Sequence, residues 1–412
     1  MARDAIAAFR GLPTSTPPMP QVFLVFAACA FASGFALRIV DPLVLPIALQ
    51  FGVTPAAAAL LSTAFALPYA MAQPFLGPLG DRFGKPRCIQ VCVAAMSIAL
   101  LLGCVAPSFE ALLAARVIAG VFAGGLIPLV LAGIGDDYAL HERQVTIGRL
   151  LLAIITGQML GSSLAGFAND AFGWRFALLI AAGTGLAAAV LAWGAMPAEH
   201  LARPAAGSPR VSFAALYGRV FDNPKALWLY GAVVLEAIFV FGAFPHVGQF
   251  LIERTGSTAQ AAPTQAGLVL GAFGIGGLAY ALTVRRLIAW LGVRRMCVVG
   301  SCAAAAAYAA LAALQVWWLA VPAMLLAGGS YYMLHNSLQT EATEIAPTAR
   351  GSAVALFACG FFAGQGLGPV LFGALVHGLG FPAALLICAV GLVSLGQGVV
   401  RTVIAPGRAA IR

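Results

Sequence analysis

The chain has 412 residues, of which 61% are apolar and 9% charged, with a net charge of +9. Soluble domains carry about a quarter charged residues, so a soluble globular enzyme, a disordered tail and a collagen-like rod are excluded. A bilayer-spanning helix needs about 20 apolar residues, and this composition supplies enough for about a dozen. The positive charge then asks which side of a membrane it occupies, and nucleic acid is not an expected partner.

The segment up to Pro20 lacks the apolar core and cleavage site of a secretory signal, so no leader is expected to be removed. Apolar runs bounded by charged or Pro/Gly clusters predict helices at 21–49, 55–79, 87–106, 110–133, 145–168 and 174–195. A polar stretch with Arg203, Pro204, Arg210, Arg219 and Lys225 follows. The pattern resumes at 226–250, 263–284, 294–313, 316–338, 351–375 and 380–402. Only Gln315 separates the ninth run from the tenth, so periodicity alone leaves a count of eleven open. The expected fold is all-α and polytopic, with twelve transmembrane helices: a six-helix bundle in 1–200, a cytoplasmic linker in 201–225 and a second bundle in 226–412.

Lysine and arginine test this map independently. With the N-terminus inside, nineteen of the 23 fall in cytoplasmic segments and two, Arg175 and Arg254, fall outside, leaving Arg38 and Arg116 within spans. That asymmetry supports twelve crossings with both termini in the cytoplasm. The eight cysteines form no C-x-x-C pair and have no histidine at ligand spacing, so they read as free packing thiols; no metal or cofactor is expected.

The two halves repeat. Arg143, Gly157, Gln158, Gly161, Gly166 and Gly173 align with Arg350, Gly364, Gln365, Gly368, Gly373 and Gly380 at an offset of 207, and Gly84 aligns with Gly292 at 208. Parallel six-helix repeats with a solute site at their interface are a transporter architecture.

In helix 1, ALRIVDPLVLP places Arg38 and Asp41 three apart on one helix face, where an ion pair is tolerable only toward a cavity or a partner. Pro42 and Pro46 remove backbone donors and loosen this helix. The pair either senses substrate or proton, or Asp41 merely marks the outer end of the span. On helix 2, Phe65, Tyr69 and Gln73 form one stripe that either lines the cavity or, as the favoured reading, serves interhelical packing.

Between helices 2 and 3 stands GPLGDRFGKPR, with Gly77, Asp81, Arg82, Gly84 and Lys85. A two- or three-residue turn between antiparallel helices needs glycine, and the basic residues hold it in the cytoplasm. Together with helix count and repeat, this loop resembles the cytoplasmic signature of the major facilitator superfamily, and the resemblance covers the whole chain. It implies that Asp81 helps latch the halves together by facing the start of helix 11 near Gly351, with Arg82, Lys85 and Arg143 in the same basic network. The plainer reading is a topology anchor. A P-loop reading fails, since Leu79 stands at the first glycine position and Pro86 replaces Ser or Thr.

Helix 4 carries LLAARVIAGVFAGG, similar to the family's second signature through Arg116 and Gly120, with Ala119 in place of the customary Gln. Arg116 keeps its proton and must face the interior. It serves proton coupling, anionic substrate contact or a structural ion pair. Helix 5 spaces Gly148, Gly157, Gly161 and Gly166 like the family's antiporter signature, with Ser162 replacing Pro and Ala165 replacing Gly. The cleaner Gly-Pro stands in helix 11, among Gly364, Gly368, Pro369 and Gly373. Such glycines let helix backbones approach.

Helix 7 holds a single charge, Glu236, near the midplane. A carboxylic acid there is the leading candidate for a proton carrier, against a structural acid that is protonated or paired with an arginine. His246 reads as an interfacial residue, and helix 10 ends in Tyr331, Tyr332, His335, Asn336 and Gln339, balanced between solute binding and boundary polarity.

The combined expectation is a monomeric bacterial inner-membrane secondary transporter acting on a small molecule. Lacking a nucleotide-binding motif, it would draw on an ion gradient, for which the membrane acids suggest protons. The glycine signatures favour export of an amphipathic organic compound; import of a metabolite or vitamin by proton symport is the alternative. No H-E-x-x-H, G-x-S-x-G or Cys/His constellation supports a membrane enzyme, and nothing suggests a channel filter.

Overall fold

The computed structural model describes residues 21–138, 140–196, 218, 220–346 and 349–404, and every regular element among them is helical. In hydrocarbon a backbone N–H or C=O finds no water, so a chain this apolar satisfies its backbone within helices. In chain order the elements are α1 Gln21–Arg38, α2 Val44–Phe51, α3 Pro55–Phe83, α4 Lys85–Cys104, α5 Phe109–Asp137, α6 Leu140–Phe172 and α7 Trp174–Ala195. After them come α8 Ala226–Phe241, α9 Val247–Thr255, α10 Ala262–Ala313, α11 Ala320–Glu344 and α12 Arg350–Thr402. The chain is thus an all-α, polytopic membrane protein. Most of the expected linker, 201–225, lies outside the described residues.

The first expected helix is two helices. α1 stops at Arg38, a 3-10 turn occupies Asp41–Leu43 and α2 resumes at Val44. Pro42 sits in that turn, where its missing N–H breaks the ladder. The seventh expected helix breaks the same way at Phe244–His246, around Pro245.

Conversely, two expected helix pairs run on as single elements. α10 has 52 residues and α12 has 53, about 78 Å if straight at 1.5 Å per residue, against a hydrocarbon core of about 30 Å. Each contains one non-helical glycine, Gly292 with φ 68° and Gly380 with φ 78°. The contacts show reversal at both. Before Gly292, Gly277 meets Tyr332 and Tyr280 meets Asn336, so α10 runs parallel to α11; beyond it, Cys297 meets Ser337 and Gly300 meets Ser330, antiparallel. Along α12, Gly364 meets Val234 and Gly373 meets His246, whereas Gly391 is back at Phe239. By contrast, the boundary near Gln315 that looked weakest is a clear break between α10 and α11. Nine stretches among the described residues are long and apolar enough to cross a membrane, with α1–α2 and α8–α9 each counted together across its break and α10 and α12 each counted once.

The repeat is visible in the backbone. Among the described residues all positive φ angles belong to six glycines, Gly52, Gly84 and Gly173 in one half and Gly256, Gly292 and Gly380 in the other. Each member of one set has its partner in the other, at offsets of 204, 208 and 207. Around Gly84 and Gly292 there is open space for a Cβ, so only the backbone angle requires glycine. Gly292→Ala is expected to cost about 1–2 kcal/mol and lower the melting temperature of the detergent-solubilised protein. Gly135→Ala, at an equally open but helical site, should leave it unchanged.

Packing follows the same division. One buried cluster draws its members from residues 22–196, and the others draw theirs from 220–404. Hydrogen bonds cross between them from Arg38 to Gln365, from Thr63 Oγ1 to the Gly366 carbonyl (2.7 Å), from Ser163 Oγ to the Gly267 carbonyl (3.3 Å) and from Thr264 Oγ1 to Asp170 (2.5 Å).

Candidate functional site

Polar side chains concentrate where the broken helices meet the opposite half. Arg38 ends α1, and across the break its Nη1 lies 3.4 Å from Asp41 Oδ2. The pair therefore spans a helix break rather than sharing a continuous helical face. Ser62 Oγ donates to Asp41 Oδ1 at 2.7 Å, and Arg38 Nη2 donates to Gln365 Oε1 in the other half. The guanidinium lies over Phe241 and Phe244, 4.3 and 4.9 Å from the ring centroids, an arrangement that stabilises a cation out of water. Pro42 supplies no N–H to the Arg38 carbonyl; Ser162 Oγ stands 3.5 Å from it instead. The departure from Gly-Pro in α6 thus places a hydroxyl beside a carbonyl left over by the break. Arg38, Gln158, Ser162, Phe244, Phe273 and Tyr332 line one cavity between the halves.

Arg116, on α5, is 1% exposed. Its Nη1 donates to the Ala36 carbonyl at 2.9 Å, its Nε to the Leu61 carbonyl at 3.2 Å, and its charge sits over the Phe65 ring at 4.2 Å. It thus rests on carbonyls and a π face, and among the described residues Nη2 has no hydrogen-bond partner. The Phe65, Tyr69 and Gln73 stripe is buried: Tyr69 faces Phe362 of the other half at 4.1 Å, and the Gln73 amide has no partner.

Glu236, on α8, is fully buried, with His335 Nδ1 of α11 2.8 Å from its Oε2 and, among the described residues, no partner on Oε1. His335 is itself buried. Its ring lies 5.0 Å from Tyr331 and 4.7 Å from Phe361, and Tyr331 and Phe361 in turn flank Phe241 at 5.2 and 5.7 Å. Aromatic rings, set edge to face at Phe241, thus run from the Glu236–His335 pair to Arg38. His246 is 2% exposed with Nε2 3.0 Å from the Pro369 carbonyl, which corrects its reading as an interfacial residue: Gly373 leaves room for its ring.

At the loop, the expected two- or three-residue turn is one residue, Gly84 with φ 92° between α3 and α4. Lys85 Nζ lies 2.6 Å from Asp136, Arg82 is exposed beside Phe83, and Arg143 Nε donates to the Tyr138 carbonyl at 2.8 Å. The side chain of Asp81, the surroundings of Gly77 and the side chain of Arg350 lie outside the described residues. The packing glycines face backbone: Gly157 and Gly161 the carbonyls of Phe31 and Phe35, Gly364 that of Val234, and Gly368 meets Gly242. Every described cysteine is free, and among the described residues no group of three His, Cys, Asp or Glu side chains could hold a metal.

Two of these residues were hard to anticipate. Gln365 had one signal, its match to Gln158 in the repeat. His335 carried none that tied it to Glu236, since 99 residues separate them.

Known proteins of the same kind are similar along most of the chain. The MFS-type transporter YceJ of Bacillus subtilis (strain 168) is 26% identical over 365 residues, covering 86% of this chain and 89% of its own. The quinolone resistance protein NorA of Staphylococcus aureus is 32% identical over 148 residues, 36% of either chain. Among solved structures, the nucleoside transporter NupG superposes with a TM-score of 0.74 at 15% identity, covering 93% of this chain and all of that one. The human organic anion transporter MFSD10 gives 0.69 at 16%, with 93% of this chain covered. The family model of the Major Facilitator Superfamily matches residues 26–350. The chain belongs to the Major Facilitator Superfamily and is a secondary transporter of a small molecule, not an enzyme.

Proposed function

We propose that this protein exports a small amphipathic organic compound in exchange for protons, as a monomer in the bacterial cytoplasmic membrane. In this reading twelve helices cross the membrane, both termini face the cytoplasm, and residues 1–200 rock against 226–412 about the central cavity. The carrying observation is Glu236: a fully buried carboxylate with one oxygen on His335 and the other without a partner among the described residues. Its titratable neighbours are His335, Tyr331 and Cys297. A carboxylate that takes either a proton or the basic group of a substrate cannot hold both, and that exclusion couples the two fluxes in opposite directions. Similarity to NorA over a third of the chain supports efflux, and the glycine-lined seams of α6 and α12 support movement of helix against helix.

Proteoliposomes loaded with a pH-sensitive dye test the exchange. Addition of amphipathic amines from a panel should release protons from the lumen for at least one member, and no proton movement for any of them would sink the proposal. Alternating access has its own test at Asp170 and Thr264, which bond at 2.5 Å across the halves. Cysteines at both positions, joined by an oxidant, are expected to reduce turnover to background, with recovery on reduction. Undiminished flux in the crosslinked protein would rule out rocking at that rim.

A further inference from the structure

Resting on the exchange reading, we infer that the transported compound carries a carboxylate as well as a basic group, the carboxylate docking on Arg38 at the opposite end of the aromatic rings from Glu236. Arg38 offers five N–H donors, and its bonds in the structure go to Asp41 and Gln365. The Asp41 contact is long, 3.4 Å, and the second carboxylate oxygen is committed to Ser62 at 2.7 Å, so Asp41 does not fill the guanidinium fork. Beside it, Gln365 Nε2 is buried and has no hydrogen-bond partner among the described residues. A planar anion can take two parallel bonds from a guanidinium, and the Gln365 amide adds a third donor.

The position favours a ligand over a purely structural role. Arg38 lines the cavity between the halves with Gln158 and Ser162. Asp41 reaches the guanidinium through one 3.4 Å contact, and a substrate bearing only positive charge would leave the remaining N–H donors unused. From the guanidinium, rings follow at 4.3 Å to Phe241, 5.7 Å onward, edge to face, to Phe361 and 4.7 Å to His335 on Glu236. That line of rings separates a cationic end at Arg38 from an acidic end at Glu236 and suits an apolar body with an acid at one end and an amine at the other.

Three probes sharing one body test this on the purified full chain by equilibrium dialysis: 4′-(aminomethyl)biphenyl-4-carboxylic acid, its methyl ester and its N-acetyl derivative. The amino acid is expected to bind at least about tenfold more tightly than the ester, a difference of about 1.4 kcal/mol. Arg38→Gln is expected to erase that preference while ester binding persists. Equal binding of acid and ester, failure of all three to bind, or a preference that survives Arg38→Gln would overturn the inference. Should Arg38→Gln fail to fold, the acid-to-ester ratio in the unaltered protein decides alone. Proton release in proteoliposomes separates this from the exchange reading: release with ester as strong as with acid retains exchange and removes the carboxylate dock. Preference for the acid without proton release does the reverse.

Discussion

Glu236→Gln is expected to abolish transport driven by a pH gradient, by about a hundredfold or more, while leaving the protein folded. Glutamine matches the carboxylate in size and can still accept a hydrogen bond from His335, now 2.8 Å from Oε2, so the packing of α8 against α11 survives. What disappears is the ability to alternate between charged and neutral forms, on which exchange depends. Substrate equilibration down its own gradient should persist in the variant, and proton release on substrate addition should not. Unimpaired gradient-driven transport in Glu236→Gln would remove this residue from the coupling step. A variant with an unchanged melting temperature but no transport of either kind would instead make Glu236 a binding residue alone.

The largest effect on stability is expected where helices touch through glycine. A Cβ at Gly161 would press on the Phe35 carbonyl, and one at Gly364 on the Val234 carbonyl and the Ala237 side chain. Backbone cannot rotate aside as a flexible side chain can. Overpacking of this kind costs about 1–3 kcal/mol per site, and a leucine at either position should reach the upper end. Gly161→Leu and Gly364→Leu are expected to cut the yield of monodisperse protein in detergent severalfold. Gly183→Leu, with open space around its Cα, should express normally. Wild-type yield from either seam variant would show that α1 and α6, or α8 and α12, can separate without loss.

Helix existence was legible because hydropathy decides it locally: each of the twelve expected segments coincides with helix in the structure. The repeat was legible through Gly84, Gly173, Gly292 and Gly380, since the turns they make need left-handed backbone that other residues resist. The breaks after Arg38 and Phe241 were only half legible. Pro42 and Pro46 announced a loosened helix, but apolar residues continue through both breaks and leave no gap in hydropathy. The pairing of Glu236 with His335, the bond from Arg38 to Gln365 and the ledge of carbonyls under Arg116 were not legible. Each depends on which faces of distant helices meet, and with mostly apolar residues on every side no amphipathic stripe says which face turns inward.

The broken helices also bear on ancestry. Pro42 and Pro245 differ by 203 positions, and so do Arg38 and Phe241, whose guanidinium and ring lie 4.3 Å apart. Position 38 therefore rests on its own duplicate. In a precursor assembled from two identical polypeptides, the same spot would set arginine against arginine, which repel, or phenylalanine against phenylalanine, which carry no charge. Divergence of the two copies is what lets one carry the cation and the other the ring that supports it.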